Sequence, residues 1–126
     1  MDKTTNNNMI GQIDEEIINH EQFEDMRDLL EEDFADLIQV YITDSKQRIT
    51  NLRTAQQQND DVAGFEIAHA LKGASANLGT TQLINLSCQL QERCRERRVG
   101  EQAVLIEEIA IALHRAEQEI NQRLGQ

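Results

Sequence analysis

Residues 61–79 read Asp61-Val62-Ala63-Gly64-Phe65-Glu66-Ile67-Ala68-His69-Ala70-Leu71-Lys72-Gly73-Ala74-Ser75-Ala76-Asn77-Leu78-Gly79. Their periodicity is helical. At about 100° per residue, Ile67, Leu71, Ala74 and Leu78 gather within roughly 60° of one another and predict a core stripe. His69 points nearly opposite, with Val62, Phe65, Lys72, Gly73 and Ala76 within about 60° of it. A solvated helix face normally carries long polar side chains. This one carries a histidine, a lysine and two residues with almost no side chain. Glycine inside a helix costs about 1 kcal/mol relative to alanine, and Gly73, one turn beyond His69, clears space over the imidazole. Gly79 is suited to a left-handed C-terminal cap, and Thr80 to the N-cap of the next helix.

The flanking segments keep the same period. Phe34, Leu37, Ile38, Tyr41, Ser45, Ile49, Leu52 and Ala55 predict a long helix ending near Gln57, before the Asn59-Asp60-Asp61 turn. Leu83, Leu86, Leu90 and Cys94 define another helix, which runs into the basic cluster Arg93, Arg95, Arg97, Arg98. Ile106, Ile109, Leu113, Ala116 and Ile120 define the last. Upstream, residues 14–36 hold eleven acidic residues and one base, Arg27. Phe23, Met26, Leu29 and Leu30 give that stretch the apolar side of a short amphipathic helix. Residues 1–13 are Asn-rich and aperiodic, which predicts a disordered tail. The expected architecture is all-α: an antiparallel four-helix bundle over residues 14–126, with an extra short N-terminal capping helix.

Composition agrees with that class and narrows the function. The 126 residues include no proline, six glycines and 3% aromatics, too little turn and strand chemistry for a sandwich or barrel. Twelve basic residues against 23 acidic give a net charge of −11, which disfavours nucleic acid or an anionic membrane as partner. No stretch approaches the ~20 apolar residues of a membrane span, and the polar start is no signal peptide, so a cytoplasmic protein is expected. Cys88 and Cys94 are too far apart for a CxxC pair and read as reduced thiols. No inward Glu and His pair at i, i+3 spacing supports a metal centre, so no metal ligand is assigned. His20 reads as a cap or solvated residue, and His114 as solvated.

A neutral imidazole is nucleophilic near pH 7, and a lysine three residues on can pair with a phosphoryl group once attached. His69, Lys72 and Gly73 in one helix are therefore far more specific together than apart. The run Ala68 to Gly79 resembles the signature of histidine-containing phosphotransfer (HPt) domains, His-x-Leu-Lys-Gly followed by small residues and a Gly. The resemblance extends from about Phe23 to Leu124 in helix order and length, and it reads as a stand-alone module of that family.

The resemblance implies a phosphorelay intermediate. His69 would accept a phosphoryl group from a receiver-domain aspartate, in a hybrid histidine kinase or response regulator, and pass it to another receiver. Lys72 would stabilise the phosphoryl group and Gly73 would give access. Gln91 matches the family position whose side chain hydrogen-bonds the imidazole nitrogen that is not phosphorylated. Val62, Phe65, Gly73 and Ala76, with Ile17 and Ile18, would form the docking surface; Phe65 fits equally beneath the acidic helix. The chain shows no Gly-rich phosphate loop or acidic Mg²⁺ cluster, so no kinase activity of its own and no cofactor are expected, with Mg²⁺ in the receiver partner. A monomer suffices. The alternative is a non-catalytic helical adaptor that binds a regulatory partner through its acidic cap.

Overall fold

A computed structural model describes residues 16–125; the tail expected over residues 1–13 lies outside the described residues. Five α-helices follow in order: α1 (His20–Leu30), α2 (Phe34–Gln57), α3 (Asp61–Leu78), α4 (Thr81–Arg95) and α5 (Ala103–Arg123). Helices α2 to α5 form the bundle, and α1 closes one end of it.

The helix ends have local causes. Asn19 caps α1 by accepting from the Gln22 N–H at 2.9 Å. Glu31, at φ 51°, breaks α1 from α2, and the 3₁₀ turn Glu31–Asp33 bridges the gap. Asp60 caps α3 by accepting from the Ala63 N–H at 3.1 Å. At the other end of α3, Gly79 takes φ 77° and its N–H returns to the Ser75 carbonyl. Thr80 departs from expectation. It occupies the N-cap position of α4, yet its hydroxyl makes no cap bond. It turns inward instead, 2.8 Å from the Tyr41 hydroxyl, which also lies 2.8 Å from Ser75 Oγ. Burial raises the Tyr41 pKa, against the lowering effect of these hydroxyl contacts. Three buried hydroxyls thus satisfy one another where α2, α3 and the α3–α4 turn meet.

The N-terminal segment is stitched to that same turn. The Asn19 N–H donates to the Gly79 carbonyl at 2.7 Å, the Thr81 N–H to the Ile17 carbonyl at 3.2 Å, and Gln22 Nε2 to the Asn77 carbonyl at 2.9 Å. Phe23 is fully buried and meets Phe34 edge to face at 5.2 Å. Two expectations for this region change. Leu29, assigned to the apolar side of α1, is 74% exposed. Ile18, assigned to a docking surface, lies in the core, while Ile17 is half-buried.

In the bundle, the α2 positions from Phe34 to Ala55 and the α5 positions from Ile106 to Ile120 are buried as their spacing predicts, with Leu37 half-buried. The core side of α3 differs. It comprises Gly64, Ala68, Leu71, Ser75 and Leu78, whereas Ile67 and Ala74 are only half-buried. The buried stripe is rotated by roughly 50° from the expected one. The cause is the close approach of α4: a Cβ on Gly64 would sit 2.9 Å from Cys94 Sγ and 3.0 Å from Val99 Cγ2. Small residues face that seam because larger ones would not fit it.

Candidate functional site

The capped ends of α3 set His69 midway along it, eight residues from Asp61 and nine from Leu78. With α4 covering one flank and α2 another, the remaining side of α3 meets solvent. His69, Gly73 and Ala76 are all exposed there, and Val62 is 70% exposed. A Cβ built on Gly73 would have nothing within 4 Å. No packing demand explains this glycine, and its effect is to leave open space one turn from the imidazole. Lys72 is half-buried and makes no ion pair among the described residues, so its ammonium is free for an incoming anion.

The imidazole is held by its face. Its ring is nearly parallel to that of Phe65, at 6° with centroids 6.1 Å apart. The guanidinium of Arg95, on α4, lies 5.3 Å from the Phe65 centroid. Phe65, half-buried and packed against the core, therefore sits beside His69 and Arg95. Beside Phe65 runs a shallow groove of about 330 Å³, lined by residues that include Val62, Glu66, Cys94 and Arg97. Burial, with Asp61 adding to it, pushes the Cys94 thiol up to about 11, so this groove holds a protonated and unreactive sulfur at neutral pH.

Gln91 is neither solvated nor bonded to the imidazole. It is buried, and its Oε1 lacks a hydrogen-bond partner among the described residues. Helices α3 and α4 run antiparallel, so the register that sets Arg95 against Phe65 brings Gln91, one turn back, alongside His69, one turn on. An unpartnered buried acceptor costs about 1–3 kcal/mol, so a donor that reaches Gln91 Oε1 is favoured. Residue types did not reveal Arg95. The signal was available in the numbering, since 65 and 95 stand in the same antiparallel register as 69 and 91.

The other histidines lie elsewhere. His20 opens α1, where its Nδ1 is 3.0 Å from Arg123 Nη1. His114 lines a separate groove between α2 and α5 with Lys46, Arg53 and Glu117. No described helix is long and apolar enough to cross a membrane.

The family model for the Hpt domain matches residues 36–120. No curated protein matches the chain. Among solved structures, the crystal structure of histidine-containing phosphotransfer protein B (HptB) from Pseudomonas aeruginosa PAO1 superposes with a TM-score of 0.74 at 28% identity. The match covers 85% of this chain and 96% of that one. Both α3, with its histidine, and α4, with Gln91 and Arg95, fall inside the matched segment. The chain belongs to the Hpt domain family, and its role is histidine phosphotransfer in a phosphorelay.

Proposed function

We propose that His69 accepts a phosphoryl group from the aspartyl phosphate of a receiver domain, in a hybrid histidine kinase or response regulator, and delivers it to a second receiver. The observation that carries this reading is an exposed imidazole with no hydrogen bond to either nitrogen among the described residues, beside a glycine whose absent side chain leaves open space.

In the transfer, the Nε2 lone pair forms the N–P bond as the P–O bond to the receiver aspartate breaks. The bonding pair leaves on the carboxylate oxygen. The ring is then formally cationic, and its Nδ1 proton is shed to water or held by an acceptor. Gln91 Oε1 is the acceptor we assign, and it would keep Nε2 as the free nucleophile. Phosphoryl transfer of this type depends mainly on positioning and charge stabilisation. Lys72 supplies a positive charge one turn from His69. Mg²⁺, and any further charge, would come from the receiver, so the protein needs no cofactor of its own. Val62, Phe65 and Ala76 would meet the receiver around the ring. One copy of the chain supplies every side chain named on the histidine side of the transfer, so a monomer suffices, and such a relay would work in the cytoplasm.

The test is transfer from receiver domains labelled with radioactive phosphate to the wild-type protein and to His69→Gln. The wild type should acquire acid-labile label and the variant none, with unchanged helical content. Label on the variant would overturn the assignment. Receiver binding unaffected by His69→Gln, with no label on either protein, would identify a non-catalytic adaptor.

A further inference from the structure

The imidazole of His69 has one partner among the described residues, and that partner is an aromatic ring. Phe65 and His69 are one helical turn apart, so their side chains lie one above the other on the same flank of α3. The contact is a parallel stack, at a centroid separation within the usual range for aromatic pairs. Phe65 is also engaged by Arg95, whose guanidinium approaches the ring at cation–π distance. Arg95 is in turn tethered on α4 by Glu92, at 3.4 Å. The chain of contacts thus runs from α4 through Phe65 to the reactive ring.

A stack engages the face of the imidazole and leaves its edge alone. Both nitrogen lone-pair directions lie in the ring plane, so the plane is fixed without using Nδ1 or Nε2. A hydrogen bond to Gln91 would use one edge and is compatible with the stack. We infer that Phe65, braced by Arg95, is the positioning element that fixes the plane of the His69 ring for in-line attack. This rests on His69 being the phosphoryl acceptor.

The size of the effect follows from rotamer counting. Histidine has three staggered χ1 wells, and its two χ2 wells are related by a half-turn that keeps the ring plane, so a face contact selects among about three orientations. If Phe65 selects one, losing it lowers the reactive fraction by up to about three-fold. That is measurable and far smaller than removing the nucleophile.

Phosphoramidate is the probe, because it donates phosphoryl directly and needs no receiver. Nε2 takes the phosphoryl group as the donor P–N bond breaks, and ammonia leaves with a proton from water. At saturating phosphoramidate, Phe65→Leu should label roughly two- to three-fold more slowly than wild type, and Phe65→Tyr, which keeps the ring, at the wild-type rate. Arg95→Met, which keeps a flexible stem at an exposed site, should fall between them. In the wild-type protein, the Phe65 ring current should shift the His69 ring protons in the NMR spectrum, and they should return to ordinary positions in Phe65→Leu. A wild-type labelling rate in folded Phe65→Leu overturns the inference. If Phe65→Leu does not fold, unshifted ring protons in the wild type together with full-rate labelling of Arg95→Met do the same. His69→Gln run alongside separates the two readings: label on that variant defeats the acceptor assignment, whereas an inert His69→Gln beside a fully active Phe65→Leu defeats only the positioning role.

Discussion

Gly64 and Gly73 lie on the same helix and owe their identity to opposite circumstances. A methyl group on Gly64 would press into Cys94 and Val99, whereas on Gly73 it would touch nothing. The first glycine lets two helices of one molecule approach closely. The second leaves room for something outside the molecule. Both carry the same helix penalty of about 1 kcal/mol, but only at Gly64 does packing within the chain offset it. On the proposed reading, the unoffset cost at solvent-facing Gly73 serves the approach of the receiver.

Substitution at the two positions should separate these causes. The largest effect belongs to Gly73→Gln. Receiver-dependent transfer should fall by about 100-fold, since a misplacement of about 1 Å costs that much, while thermal stability stays level or rises. Stopped-flow or quench-flow transfer rates beside a melting curve check both halves, and an unchanged rate would remove the access argument. Gly64→Leu should do the reverse. Overpacking the α3–α4 seam costs about 1–3 kcal/mol, visible as a lower urea midpoint, while the folded fraction still accepts phosphoryl from phosphoramidate. The smallest effect concerns Cys94, which lies across that seam. Its folded pKa is raised to about 11, so its stabilising contribution is complete below the unfolded thiol value, about 8.5. That contribution is lost as pH rises through about 11. Stability measured from pH 8 to 11 should decline in the wild type and decline less in Cys94→Ala.

How much of this was legible beforehand differs by feature. The ends of α3 were, because their causes are local: Asp60, Gly79 and the Asn59 turn bound it at the residues expected, Asp61 and Leu78. The exposure of His69 was legible from periodicity alone. The phase of the α3 core was not, since hydrophobicity marks Ile67 and Ala74 while Gly64 and Ser75 do the packing. Ser75 reads as polar and is buried because Tyr41, from a distant helix, shares its hydrogen bond. Gln91 is a case of the same kind, a polar residue that lies buried. Its burial, and the role of Arg95 against Phe65, depend on the register between two helices, which no single segment encodes.

The hydroxyl cluster of Tyr41, Ser75 and Thr80 has one more consequence. The chain contains no tryptophan and a single tyrosine, so its ultraviolet emission comes essentially from one phenol. That phenol sits where α2 meets the α3–α4 turn, the turn to which the segment before α1 is stitched. The molecule carries its own optical gauge, and light from one side chain reports whether the end of the bundle beneath α1 is closed.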